Sequence, residues 1–382
     1  MFESMFATPA SVAATDTAAW LRELLRVEAA LARAGAAIGL IPSGCAAEIE
    51  AACVPDRFDA AGLSRQAVPS ASPVVPMVAE LRARVSDDAR RYVHLGATSQ
   101  DVMDTALVLV ARRCVGSTLD DLWAVGDRLA DLADRHRDTV QIGRTLLQQA
   151  VPTSFGLVCA NWLAALAEAA DELARATDRL PLQYGGAVGA HDTLGIDGPR
   201  MAAALGEILG LTVPALPWHT RRGPVAGLAA ALGAVCGALG TIATGVLLLA
   251  QNEVAEVTEG SPGGSSAMPH KRNPARSTLV VACVHQAPAL VATILASQPV
   301  ELQRSAGRWQ AEWPTVTTLL RLTAAAAWHA RSAAESLQVD SERMRAAAGL
   351  GPGSTTAGPP GVPEAAGPLI DRALEAYRAT RP

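Results

Sequence analysis

Residues 223–252 carry no charged side chain, and this apolar stretch limits the possible folds more than any other feature of the chain. Within it, ALGAVCGALGTIATGVLLLA (231–250) is long enough to span a bilayer. Its first half is nearly all Ala and Gly, which contribute little transfer free energy, and Asn252, Glu253 and Glu256 are predicted to continue the same helix. We therefore expect a helix buried on all sides by other helices, and no association with a membrane.

The rest of the chain is also predicted to be helical. Ala, Leu, Arg and Glu dominate, and the alternation typical of strands is hard to find. TAAWLRELLRVEAALARAGAAIGL (17–40) has apolar residues at helical spacing and is ended by Gly39 and Pro42. Further long patterns bounded by Pro or Gly cover 99–136, 153–179, 224–258, 274–297 and 310–338. Helices of this length pack side by side, so we predict an all-α fold built on an elongated long-helix bundle.

These patterns divide the chain into three parts. We predict an N-terminal helical domain at 1–95 and a central long-helix bundle at 96–340. A shortened C-terminal segment at 341–382 is predicted to contain a Gly/Pro linker (349–368) and a short last helix. The central helices carry more apolar surface than one chain can cover, so we expect the chain to oligomerise with itself.

Charge and cysteine content exclude several classes of protein. The net charge is −5 and Lys and Arg are scattered, which leaves no basic stripe for a phosphate backbone, so no nucleic acid partner is expected. The six cysteines are widely spaced without a CxxC pair, which is typical of free thiols in a reducing compartment. The first residues lack the basic and apolar regions of a secretion signal, and we expect a cytoplasmic protein.

Polar segments interrupt the helical patterns at three places, and the first two have ordinary explanations. HLGATSQDVMDT (94–105) can be a simple N-cap at Thr98 or Ser99. Alternatively, helix amides and these hydroxyls can bind a substrate carboxylate. In GRTLLQQAVPTSFG (143–156), Gln148 precedes a helix start marked by Pro, where a glutamine is more often solvated than bound to a ligand.

The third segment, GGSSAMPHKRNP (263–274), is the most polar and flexible. Its glycines allow movement, its prolines limit how it folds, and Lys271, Arg272 and Asn273 offer donors for oxyanions. A solvated loop would explain a random segment of this composition, but the order of these residues is too particular for that explanation.

Taken in order, the three segments closely resemble the shared regions of the fumarase/aspartase superfamily, which includes adenylosuccinate and argininosuccinate lyases. Within it, the chain is most similar to the bacterial 3-carboxy-cis,cis-muconate cycloisomerases, in the stretches LRVEAALARAGAAIGLIP, QYGGAVGA, LPWHTRRGPVA and RWQAEWP. The resemblance covers most of the chain. It implies a homotetramer whose long helices form a central bundle and whose active sites are each assembled from three chains.

The resemblance also implies roles for individual residues. By position, Ser265 matches the loop serine that exchanges a proton at the carbon next to a substrate carboxylate. Lys271 and Asn273 match oxyanion-binding residues of the same loop. Substrate contacts are implied for His94, Thr98, Ser99 and Gln148.

Leu146 departs from most lyases of the superfamily, which have at this point a histidine that handles the proton of the leaving group. Expelling an amine needs a general acid, whereas a carboxylate is already ionised at pH 7. The departure favours a cycloisomerase, in which a carboxylate of 3-carboxy-cis,cis-muconate adds to its own conjugated double bond to give 4-carboxymuconolactone. Ser265 would then deliver the proton to carbon.

Arg304 and Arg308 are predicted to bind substrate as well, because a tricarboxylate needs more cations than Lys271 supplies. The expected partner is a small polycarboxylate, and neither a cofactor nor a metal is expected. Two alternatives stay open. One is a lyase that eliminates an acidic group such as nitrite from a substituted succinate. The other is a catalytically silent homologue, against which intact Ser265, Lys271 and Asn273 argue.

Overall fold

The N-terminal part of the molecule consists of short helices packed around one long helix. The computed structural model describes residues 1–349 and 361–381. The first helices are α1 (Glu3–Phe6), α2 (Pro9–Thr15), α3 (Thr17–Ala37), α4 (Ser43–Ala52), α5 (Ala60–Gln66), α6 (Val74–Ala83) and α7 (Asp87–Arg90), with 3-10 turns at Pro55–Arg57 and Val68–Ser70. The long helix α3 buries the predicted apolar face, including Leu24, Leu25 and Leu31, and confirms the first predicted helix.

Long helices form the centre of the molecule, and the prediction of an all-α fold is confirmed. The remaining elements are α8 (Ser99–Arg135), β1 (Val140–Thr145), β2 (Gln148–Ser154), α9 (Phe155–Asp178), α10 (Asp197–Leu209), α11 (Gly223–Leu249), β3 (Val257–Glu259), α12 (Ala275–Val284), α13 (Ala287–Ala296), α14 (Arg308–Ser336), β4 (Leu337–Val339), α15 (Ser341–Ala347) and α16 (Ala366–Thr380). Within the described ranges the strands form two small antiparallel sheets, β1–β2 and β3–β4.

The three longest central helices run in the same direction. Asp104, near the start of α8, bonds to Arg222 just before α11 and to Trp309 in the first turn of α14. Arg128, near the end of α8, donates to the carbonyl of Ala334 near the end of α14. The bundle therefore has a first end, marked by Asp104, and an opposite end, which carries the β1–β2 hairpin and is called the hairpin end below.

The uncharged stretch forms α11, but one chain does not bury it on all sides as expected. Every third or fourth residue stays exposed and forms a stripe of mostly small side chains along the helix: Gly227, Ala230, Ala234, Gly237, Thr241, Thr244 and Leu248. By length and composition alone, α11 and the segment 275–296 could each cross a membrane. Their uncovered faces instead fit the packing of helix against helix, since small residues permit close approach.

Two predicted helices end earlier than expected. The helix predicted at 224–258 ends at Leu249. We attribute this to Glu256, whose carboxylate accepts hydrogen bonds from Gln141 and Arg144 of the hairpin instead of continuing the helix. The pattern at 274–297 divides into α12 and α13 ahead of Pro288, whose missing N–H cannot continue the helical ladder.

The predicted last helix is α16, and it packs against α8 and α9. The hydroxyl of Tyr377 donates to the carboxylate of Asp127 on α8 at 2.7 Å. Most of the predicted Gly/Pro linker (349–368) and the last residue of the 341–382 segment lie outside the described residues.

Candidate active site

The first polar segment lies at the first end of the bundle, where α8 begins. Thr98 is the N-cap, and the carboxylate of Asp101 accepts its backbone N–H at 3.0 Å. Ser99 is the first helical residue, and both hydroxyl residues are half-buried. The structure thus confirms the predicted N-cap at Thr98. The same arrangement leaves first-turn amides and two hydroxyls near the surface, where an anion could bind.

His94 stands next to this helix start and is paired with a buried acid. Its Nδ1 lies 2.6 Å from the carboxylate of Glu28 on α3, which is 1% exposed. Burial alone would lower the pKa of His94, but the Glu28 carboxylate more than offsets this, so the pKa lies above its ordinary value. The backbone of His94 has a φ of 65°, which is uncommon for a residue with a side chain and holds the ring in a defined orientation.

A buried ionic network that sequence reasoning missed lies directly beneath the helix start. Arg222 pairs in a bidentate manner with Asp104, at 2.7 and 3.0 Å, and its Nε also donates to Glu312 at 3.1 Å. The indole N–H of Trp309 completes the set by donating to Asp104 at 2.9 Å. Although burial opposes its charge, the two carboxylates raise the pKa of Arg222, while burial raises the pKa of Glu312. The network ties α8, α11 and α14 together.

A second missed pair joins the helix start to two loops. His219 Nε2 lies 2.7 Å from the carboxylate of Asp101, which also accepts the N–H of Gly186 at 3.0 Å. The side-chain amide of Gln100 donates to the carbonyl of His219 at 2.9 Å. These residues belong to the stretches HLGATSQDVMDT, QYGGAVGA and LPWHTRRGPVA, so the signal that could have found them was the resemblance of all three stretches to one family.

The two predicted arginines have different surroundings. Arg304 is half-buried and reaches the first polar segment, where it donates to Gln100 at 3.2 Å and to the carbonyl of Ala187 at 2.6 Å. Arg308 is exposed and bonds within its own loop, to the carbonyl of Pro299 and to the carboxylate of Glu301 at 3.6 Å. The structure therefore brings Arg304, but not Arg308, to the start of α8.

The second polar segment forms the β1–β2 hairpin and then the start of α9, where Ser154 is the N-cap. Gln148 lies in β2, opposite Thr145, and precedes this helix start as predicted, whereas the pairing of the two strands was not predicted. Leu146 and Leu147 form the hairpin tip, are 96% and 71% exposed, and both have positive φ. The hairpin is anchored by the guanidinium of Arg144, which donates to buried Glu256 at 3.1 Å.

The third polar segment is a loop closed at its neck. Gly263 and Asn273 exchange backbone hydrogen bonds at 2.8 and 3.1 Å, and the side-chain amide of Asn273 donates to the carbonyl of Gly264 at 3.1 Å. A Cβ at Gly263 would lie 2.8 Å from the side chain of Ala275, so this neck needs glycine. Asn273 therefore shapes the loop and keeps a second N–H for other partners.

Within this loop, the hydroxyl oxygen of Ser265 accepts two backbone N–H groups. Its Oγ accepts the backbone N–H of Met268 at 3.1 Å and, more weakly, that of Ala267 at 3.4 Å. Both N–H groups would stabilise negative charge on that oxygen. Ser265 is half-buried, whereas Lys271 is exposed.

A buried acid fixes the base of the loop. The carboxylate of Glu259 accepts the backbone N–H groups of Arg276 and Ser277, at 3.1 and 2.8 Å, and the hydroxyl of Ser277 at 2.6 Å. It thereby satisfies orphan donors in the first turn of α12. These hydrogen bonds hold the C-terminal end of the loop at the start of α12.

The polar segments do not meet within one chain. The hairpin and the Ser265 loop both lie at the hairpin end. Glu256, which binds the hairpin, directly precedes the short strand β3, and Glu259, which holds the base of the loop, is the last residue of that strand. The first segment lies at the other end of α11, whose 27 residues span about 40 Å. One protomer thus carries the parts of a site at opposite ends of its bundle.

Comparison with known proteins gives a consistent result. A family profile described as "Lyase" matches residues 12–288. The chain is 44% identical to 3-carboxy-cis,cis-muconate cycloisomerase of Bradyrhizobium diazoefficiens, covering 89% of this chain and 77% of that protein. It is 41% identical to a nitrosuccinate lyase of Streptomyces davaonensis, covering 89% and 74%.

Among solved structures, the 3-carboxy-cis,cis-muconate lactonizing enzyme from Pseudomonas putida matches with a TM-score of 0.92 at 32% identity, and the match covers 100% of both chains. The predicted resemblance and the long-helix bundle of this type are thereby confirmed.

Proposed function

The chain belongs to the lyase family, and from this membership we propose that it converts 3-carboxy-cis,cis-muconate to 4-carboxymuconolactone, a step in protocatechuate (β-ketoadipate) degradation. The observation that carries this proposal is the 44% identity to a cycloisomerase over 89% of the chain. The polar loop around Ser265, with its two backbone donors to Oγ, supports an active rather than a silent homologue.

The proposed reaction forms one C–O bond and one C–H bond. A substrate carboxylate oxygen attacks the conjugated double bond, and the displaced electron pair moves into the adjacent carboxylate to give an aci-carboxylate. Ser265 then gives its proton to the neighbouring carbon. The alkoxide left on Ser265 is stabilised by the N–H groups of Met268 and Ala267 until it takes a proton from water.

The remaining candidates bind the charge of the substrate. Lys271 and the free N–H of Asn273 would stabilise the developing aci-carboxylate. Thr98, Ser99 and the amides at the start of α8 suit a second carboxylate, and Arg304 lies beside them. Gln148 stays a predicted contact from the hairpin, where Leu146 supplies no imidazole. Because the nucleophile is an ionised carboxylate, the reaction needs no acid at that position.

We infer that a complete site requires several chains, and that the protein is a soluble homotetramer whose sites each combine segments of three chains. The position of the start of α8 and of the Ser265 loop at opposite ends of α11, a helix about 40 Å long, supports this inference. So do the exposed small-residue stripe of α11 and the exposed apolar tip at Leu146 and Leu147, which suit burial against another copy.

Elimination of nitrite from nitrosuccinate is a second candidate, favoured by the 41% identity to a nitrosuccinate lyase and by the hydrophobic Leu146. Purified protein should be offered each substrate separately. We expect loss of the diene absorbance of 3-carboxy-cis,cis-muconate, with lactone as product. Turnover of nitrosuccinate without turnover of the muconate would replace the first proposal by the second.

A further inference from the structure

We propose that the protein has a second small-molecule site, between the N-terminal helices and the central bundle, that binds a small aromatic carboxylate. The site is a cavity of about 480 Å³, within the range of ligand pockets. Helices α3, α5 and α6 form one side, α14 the other, and α8 contributes one residue. None of the candidate active-site residues lines it, so the inference does not depend on the proposed function.

The floor of the cavity is apolar. It is formed by side chains that are each at most 6% exposed: Leu21, Leu24, Leu63, Met77 and Met103. Well-packed interiors leave few voids of this size. An apolar body is therefore the natural occupant of the deep part.

Aromatic and sulfur-containing side chains favour a planar ring over an aliphatic chain. Trp20 of α3 and Trp313 of α14 line the cavity, and both are half-buried. The thioethers of Met77 and Met103 add favourable contacts to an aromatic ring. Offset or edge-on stacking against an indole contributes beyond the buried area.

The cation Arg321 marks the polar part of the cavity. Arg321 of α14 is half-buried and lines the wall, and its Nε donates to the hydroxyl of Thr15 at 2.7 Å. Among the residues that the structure describes, Arg321 forms no ion pair, and its two terminal nitrogens make no hydrogen bond. The hydroxyl of Thr15 donates its own proton to the carbonyl of Ser11. It is neutral and therefore does not balance the charge of Arg321.

The unpaired guanidinium indicates what the polar end of the ligand is. Four N–H bonds in a planar fork suit a carboxylate, which they bind in a bidentate manner. A half-buried cation also favours an anion over a neutral acceptor. The apolar floor, the two indoles and Arg321 together select an arene that carries one carboxylate.

Benzoate is the probe for this site, and benzyl alcohol is its neutral counterpart. From the size of benzoate we expect saturable binding to the assembled protein with a Kd of about 0.1 to 1 mM by calorimetry. Arg321→Gln should weaken benzoate binding at least tenfold and leave the weak binding of benzyl alcohol unchanged. Arg331→Gln is the matched control, because Arg331 lies on the same helix but pairs with Asp121 and Glu335 outside the cavity.

A second variant blocks access without touching the cation. Ser64 is exposed and lines the cavity, so Ser64→Trp should close it and abolish benzoate binding with an unchanged melting temperature. Ser265→Ala should still bind benzoate, which separates this site from the catalytic one. Benzoate binding that survives both Arg321→Gln and Ser64→Trp, or that disappears in Ser265→Ala, would overturn the proposal, as would no saturation below 10 mM, roughly ten times the weakest expected Kd.

Discussion

At the scale of single residues, the proposed role of Ser265 gives the most specific prediction. Ser265→Ala should lower kcat by about 10² to 10⁴, the usual contribution of a positioned proton donor, and leave the melting temperature unchanged. Ser266 is exposed and adjacent, so Ser266→Ala is the matched control and should keep near-normal kcat. Steady-state kinetics on 3-carboxy-cis,cis-muconate decide the matter. Near-normal kcat in Ser265→Ala would assign the proton to another group, with His94 and His270 as the first candidates.

The pair of His94 and Glu28 makes stability depend on pH in a defined direction. Because the folded-state pKa of His94 is raised, the pair contributes stability below the ordinary pKa, and this contribution is lost as pH rises through the raised value. Replacing the carboxylate in Glu28→Gln leaves burial as the dominant influence, so the His94 pKa should fall below its ordinary value. An NMR titration of the His94 ring in both proteins tests the sign, and an unchanged pKa would contradict the assigned cause.

Residue identities could be predicted only where several neighbours in sequence act together. Ser265, Lys271 and Asn273 lie within one segment, and their order made them recognisable. The partners Asp104 and Arg222 are 118 residues apart, and nothing in either local sequence indicates that they meet. Their pairing follows from the parallel arrangement of α8 and α11, which only the folded chain reveals.

At the scale of elements, the Arg222 network holds the starts of three helices in register. Arg222→Met would leave the carboxylates of Asp104 and Glu312 buried without a counter-charge, and should lower the free energy of unfolding by about 3 to 5 kcal/mol. The neighbouring Arg221 is exposed, so Arg221→Met is the control and should change stability by less than about 0.5 kcal/mol. Urea unfolding of both variants makes the comparison. Equal free energies of unfolding for the two variants would show that the network contributes no net stability.

Element existence was predictable from apolar spacing, but element ends were not. The helical pattern of α11 continues past Leu249 in sequence, yet the helix ends there. Glu256 instead accepts a hydrogen bond from Gln141 of the hairpin. The hairpin itself was missed, since its short strands gain stability from each other and from Glu256 rather than from a local pattern. Tertiary contacts of the buried Glu256 carboxylate therefore account for both errors, the end of α11 and the missed hairpin.

At the scale of the whole molecule, the uncovered stripe on α11 predicts assembly. Thr241 and Leu248 lie exposed on this stripe, and a charge there would be desolvated in any helix-to-helix contact. Thr241→Glu should therefore convert the proposed tetramer to smaller species and abolish turnover together, whereas Thr258→Glu, at an exposed site on β3, should do neither. Sedimentation velocity and kinetics on the same samples test the link. A fully active Thr241→Glu monomer would refute the shared site.

The separation of the polar segments leads to a stricter test, because a site built from different chains can be restored by mixing two inactive variants. Ser265→Ala removes the proposed proton donor at the hairpin end, and a double variant, Thr98→Val with Ser99→Ala, removes hydroxyls at the other end of α11, which is about 40 Å long. Each alone should be nearly inactive. After both are unfolded together and refolded at equal amounts, random assembly leaves about a quarter of the sites with both intact segments, so activity should recover to about that fraction of wild type. Recovery requires that the two segments of one site come from different chains, and mixtures that stay inactive although hybrid oligomers form would place the complete site within one protomer.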